Sequence, residues 1–189
     1  MYDLDPPNMK AQFNSINSAN QSIKLSVSLS DKLSNNKGLS DFQYNKKIIF
    51  KYSFNLSNSH LVINIYTVNS NTNHFNKTVL GSFVYDLSLK YSASLITVNA
   101  KNKADLELLV FGFLQKDFIY SIYKKNSKKS QYKTNFKLSK NYLSLLNSLN
   151  FLKELVSEPS NIIYPASFVK RTQSQLNKKN LIITTLNKQ

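Results

Sequence analysis

The chain has 189 residues, enough for one or two small domains with a modest core. Its formal net charge is +15 and its pI about 9.8, which favours a polyanionic partner, either nucleic acid or an acidic membrane surface. Without cysteine, disulfides, thiolate chemistry and Cys-ligated zinc are excluded, and no run of about 18 apolar residues offers a transmembrane helix.

The charge is uneven. Residues 1–100 carry nine Lys and five acids, whereas residues 101–189 carry fifteen Lys, one Arg and five acids. The electrostatic footprint therefore lies in the C-terminal half. Lys outnumbers Arg by 24 to 1 beside abundant Asn, Ile, Tyr and Phe, a bias expected of an AT-rich genome. The start, Met1 to Pro7, has neither the basic and apolar regions of a secretory signal nor the acid-poor character of a mitochondrial presequence. That suits a cytosolic protein, a viral one, or one made inside an organelle.

Residues 1–22 are polar and predict an extended arm. Ile23, Leu25, Val27 and Leu29 then alternate with Lys24, Ser26 and Ser28, the pattern of a half-buried strand. Ser30–Gln43 predicts a polar loop. Lys47–Leu56 and His60–Val68, β-branched and aromatic, predict two strands about a turn at Ser57-Asn58-Ser59. Asn69–Lys77 predicts a loop, and Thr78–Tyr85 a further strand. Leu61–Tyr66 followed by Leu80-Gly81-Ser82-Phe83 and Asp86-Leu87 also resembles the late strands of a C2 domain, although Asn69, Asn71 and Asn73 stand where calcium-binding aspartates would be. That resemblance implies a β-sandwich acting as a peripheral membrane or scaffold protein with a basic tail, including a viral matrix-type role.

Asp86–Ser94 and Lys103–Gln115 have helical spacing, the second with an apolar stripe of Leu106, Leu109, Val110, Phe113 and Leu114. Leu95–Asn99 predicts a short strand between them. Phe118–Tyr123 and Thr134–Leu138 predict strands on either side of the basic loop 124–129. Asn141–Leu155, with Leu143, Leu146, Leu149, Leu152 and Leu155, predicts a packed helix.

The C-terminal text is more specific. Ser157-Glu158-Pro159-Ser160-Asn161-Ile162-Ile163-Tyr164 and the later Leu181–Leu186 stretch with Thr184-Thr185 resemble the second half of small-subunit ribosomal protein uS8. That family writes Ser-Lys-Pro-(Gly/Ser)-Arg-Arg-(Val/Ile)-Tyr, a short helix, a Gly-Leu-Gly turn, and an apolar strand ending in Ser-Thr-Ser. Ser157, Pro159, Ser160, Ile163 and Tyr164 match in register, and the resemblance extends over about residues 80–189. The chain departs from the family in three places. Asn161-Ile162 replaces the Arg pair, Lys178-Lys179-Asn180 replaces the glycine turn, and the family's last two strands have no counterpart.

The resemblance implies an α+β fold: a β-rich N-terminal extension over 1–79, a uS8-like N-terminal domain over 80–156 and a truncated uS8-like C-terminal domain over 157–189. It implies a structural constituent of the mitochondrial ribosome, organelle-encoded, that binds and helps fold the central domain of small-subunit ribosomal RNA beside neighbouring small-subunit proteins. The implied RNA contacts are Thr184, Thr185, Asn187 and Lys188, the lysines Lys178 and Lys179, Lys170 with Arg171, Ser157, Ser160 and Tyr164, and Lys101 with Lys103. Lysines there would neutralise phosphates and release counterions, and the small hydroxyls would reach ribose and base edges. Two threonines also end strands through β-propensity alone.

No catalytic constellation is legible. His60 and His74 have no acid or third ligand at metal-site spacing, and three isolated glycines make no phosphate-cradling loop. The expectation is a non-enzyme with no cofactor, no metal and no small-molecule substrate.

Overall fold

A computed structural model describes residues 23–30, 39–44, 47–57, 60–67, 73–120, 132–176 and 184–186. Six strands, β1 (Ile23–Ser30), β2 (Ser40–Tyr44), β3 (Lys47–Ser57), β4 (His60–Thr67), β5 (Ala93–Ala100) and β6 (Lys133–Thr134), form one sheet in the order β2-β3-β4-β1-β5-β6. β2, β3 and β4 are an antiparallel meander. β1 runs parallel to both β4 and β5, with Leu25 opposite Leu61 on one side and Ile96 on the other. Strands that run parallel in one sheet need a long crossover, and β4 and β5 lie parallel on either side of β1. Helix α1 (His74–Lys90) supplies it between β4 and β5, and α2 (Lys103–Lys116) between β5 and β6.

Alternation on β1 sorts the sheet into two faces. Leu25, Val27 and Leu29 join Leu61, Ile63, Ile65, Ile96, Val98, Phe50 and Tyr52 in a buried layer under Leu80, Phe83, Val84 and Leu87 of α1. Each such side chain contributes about 1.5–3 kcal/mol by leaving water. On the other face Lys24 and His60 are exposed and Ser26, Ser28 and Asn64 half-exposed. Phe113 of α2 closes the core's far end, with ring centroids 5.3 Å from Tyr85, 5.4 Å from Tyr132 and 5.5 Å from Phe136.

The expected strands over β1, β3, β4 and β5 and the expected helix over α2 are present within a few residues. Several segments differ, among them the expected Asn69–Lys77 loop, helical from His74, and the expected Asp86–Ser94 helix, which ends at Lys90 before β5 begins at Ala93. Thr78–Tyr85 is helical, because Asn73 caps the Asn76 N–H at 2.9 Å and α1 is buried against both the sheet and α2. Tertiary packing there overrides β-branched propensity. Since Leu80–Leu87 lie in α1, they are not C2-type strands. Ser40–Gln43, expected within a loop, belongs to β2 and pairs with β3, and Thr134–Leu138 is strand only at Thr134. Phe118–Tyr120 is irregular; the rest of that expected strand, the 124–129 loop and the 1–22 arm lie outside the described residues.

The mixed α/β character of the expectation holds at that coarse level. The expected boundary between residues 79 and 80 runs through α1, and β1 bonds directly to β5.

Two further helices leave the sheet. α3 (Lys140–Ser157) packs on α2, where the Tyr142 ring lies tilted with its centroid 5.4 Å from that of Phe111, and Lys153 donates to the Gln115 carbonyl at 2.7 Å. α4 (Pro165–Leu176) follows after a tight turn.

Candidate functional site

The turn between α3 and α4 contains the residues that carried the family resemblance. Ser157 ends α3 and is exposed, and Glu158 caps it in extended conformation. Pro159 cannot continue a helix, and its carbonyl instead accepts the N–H groups of Ile162 and Ile163. Tyr164 then opens α4: its carbonyl accepts the Phe168 N–H at 2.9 Å, and Pro165 occupies the first helical position. Ser167, three residues beyond Tyr164, accepts the Tyr164 N–H at 2.9 Å, one half of a capping box, and donates to the Ile162 carbonyl at 2.7 Å.

One ion pair ties the turn down. The Glu158 side chain is only 2% exposed and Arg171 of α4 pairs with its Oε1. The second carboxylate oxygen, Oε2, is buried and has no hydrogen-bond partner, so the pair is the main compensation for a desolvated charge. Arg171 thus has a role in holding the turn, with its side chain still 40% exposed.

The other expected RNA contacts are scattered. Lys101 and Lys103 flank Asn102, whose side chain caps α2 by accepting the Ala104 N–H at 2.9 Å; both lysines are exposed. Ser160, Tyr164 and Lys170 are exposed around α4. Thr184 and Thr185 are exposed, and the Thr185 hydroxyl accepts from Gln173 at 3.3 Å. The structure therefore brings Thr185 to α4. Lys178, Lys179, Asn187 and Lys188 lie outside the described residues.

Two arrangements were not anticipated. On the polar sheet face Ser26 Oγ lies 2.7 Å from His60 Nε2 and 2.7 Å from Thr97 Oγ1, linking three strands. Their registers would have predicted it once β1 was known to lie between β4 and β5. Between α3 and α4 there is an open cavity of about 660 Å³, lined by Asn147, Ser148, Asn150, Phe151, Glu154 and Gln175. Among the described residues no group of three or more His, Cys, Asp or Glu could hold a metal ion, and no helix is long and apolar enough to cross a membrane.

No family model and no curated protein matches the sequence. Solved structures match its fold. A mutant of tomato leucine aminopeptidase superimposes with a TM-score of 0.58 at 12% identity, over 85% of this chain and 40% of that one. The bottromycin maturation enzyme BotP gives 0.57 at 10% identity, over 85% and 38%. BotP in complex with Mn gives 0.54, over 84% and 37%. This chain has the fold of a part of these enzymes. It spans about two fifths of their length.

Proposed function

We propose that this chain is a non-catalytic unit of an aminopeptidase-like assembly, holding or positioning a hydrolytic body that other residues supply. The observation that carries this reading is the extent of the likeness: most of this chain, but well under half of each enzyme. The described residues here consist of a sheet with a polar, hydroxyl-rich outer face and helices joined by structural ion pairs. Peptide hydrolysis needs an activated nucleophile or a metal-bound water. Ser26 and His60 meet at hydrogen-bonding distance, but Ser26 also bonds Thr97, in a chain that links three strands.

A second reading keeps the ribosomal resemblance: a mitochondrial small-subunit protein that binds ribosomal RNA. It is favoured by the excess of positive charge after residue 100, with Lys101, Lys103 and Lys170 exposed.

One experiment separates them. The tagged chain is recovered from its native cells, and the eluate is assayed for leucine p-nitroanilide hydrolysis and for bound RNA. The expected result is aminopeptidase activity in the eluate and none from the recombinant chain alone. Turnover by the recombinant chain would overturn the non-catalytic role. Salt-resistant enrichment of small-subunit ribosomal RNA, lost on Thr184→Val/Thr185→Val, would install the second reading.

A further inference from the structure

Six of the eleven large apolar residues exposed among the described residues lie on α3 and at the head of α4. Four positions on α3 form a line. Leu145, Leu149, Leu152 and Val156 recur at i, i+4, i+7 and i+11, which puts them on one helical face. Leu145 is 48%, Leu152 53% and Val156 77% exposed, while Leu149 is half-buried. The buried residues of the same helix are Leu146 and Leu155, so α3 has apolar side chains well beyond those its own fold covers. A contiguous exposed stripe of this kind marks a docking surface.

Resting on the aminopeptidase-like reading, we infer that this face of α3 is covered by the remainder of that assembly, through an apolar groove rimmed by carboxylates. Two observations select this occupant. The similar enzymes extend well beyond the part this chain matches, and a unit joined to a larger body has one face against it. Charge argues against a second copy of this chain. Each carries +15, and Lys133, Lys137 and Lys140 stand exposed on the approach to α3, with Lys170 exposed on α4. Two such surfaces repel, whereas an acidic rim is attracted.

The test places the photo-cross-linker p-benzoylphenylalanine at Leu152 in the full chain within its native cells, with Asn99 on the polar sheet face as the comparison site. Adducts are identified by mass spectrometry. Leu152→Glu/Val156→Glu is assayed beside it for recovery of aminopeptidase activity, its fold checked by thermal melting. The expected result is an adduct from position 152 to an aminopeptidase-type sequence, on the same or another polypeptide. None should form from position 99, and recovered activity should fall at least tenfold in the double variant. An adduct to a second copy of this chain or to lipid overturns the inferred occupant. Recovered activity with no adduct at 152, unchanged in the double variant, overturns this surface and leaves the aminopeptidase-like reading standing. Absence of activity in the wild-type eluate overturns both.

Discussion

Gly81 of α1 faces the main-chain carbonyl of Leu109 in α2 so closely that a Cβ added to it would lie 1.9 Å from that oxygen. The relationship is reciprocal. A Cβ on Gly112 would lie 1.9 Å from the Thr78 carbonyl oxygen. The clashing atoms are backbone, which cannot rotate away, so the two helices would have to separate. Gly81→Ala or Gly112→Ala therefore destabilises the chain by about 3 kcal/mol, outweighing the roughly 1 kcal/mol that alanine gains in helix propensity. Urea unfolding checks this, and an alanine variant as stable as the parent would show that the helices do not cross there.

The same pair of helices is bridged by Lys77 Nζ and Asp105 Oδ1 at 2.5 Å, with side chains only 15% and 12% exposed. Removing one partner strands the other charge away from water. Asp105→Asn should cost about 2–3 kcal/mol. Asp86→Asn, which breaks a 3.4 Å pair to Lys116 whose side chains are about half exposed, should cost about 0.5 kcal/mol or less. Equal losses in denaturant titrations would contradict this ranking.

Ser92 joins α1 to β5 with φ of +47°, a left-handed conformation that a Cβ penalises. Ser92→Gly is expected to stabilise the fold by about 0.5–1 kcal/mol despite the greater freedom of glycine in the unfolded chain. A lowered melting temperature would mean the serine side chain contributes more than its backbone costs.

Tyr132 gives a pH dependence. Burial, then the hydrogen bond and charge of Asp117, raise its phenol above the usual value of 10.0. A raised folded-state pKa is fully stabilising below the unfolded value and is lost as pH climbs beyond it. Lys153 acts oppositely. Burial lowers it from 10.5, so its penalty fades as pH rises toward that value. Above 10.5 only the tyrosine slope remains of the two. Tyr132→Phe, weaker than the parent at pH about 8 by about 1 kcal/mol through the lost hydrogen bond, should lose less stability between pH about 10 and 11. Parallel denaturation midpoints across that window would refute the assignment.

The turn after α3 offers a local test. Arg171→Met leaves the Glu158 carboxylate buried without its partner, so α4 should detach more readily. Hydrogen exchange of the α4 amides should accelerate at least tenfold while β1 and β4 keep their protection. Uniform acceleration would show that α4 belongs to the core cooperative unit.

Period-two alternation was enough to place β1, and β-branched and aromatic runs to place β3 and β4, because an alternating half-buried strand records its own burial. The apolar stripe of Lys103–Lys116 likewise exposed α2. Thr78–Tyr85 could not be read this way. Its threonine, valines and aromatics favour a strand locally, and it becomes a helix because Gly81 lets α2 approach and both faces are then buried. The candidate site shows the same split. The Ser157–Tyr164 break was legible from Pro159, whereas the pairing of Arg171 with Glu158, thirteen residues away, was not. Local sequence thus decided β1, β3, β4 and α2, but not α1 or β2. Which strands are neighbours, which charges are committed to each other, and which apolar face of α3 is left open were decided only by tertiary packing, since each depends on residues far apart in the chain.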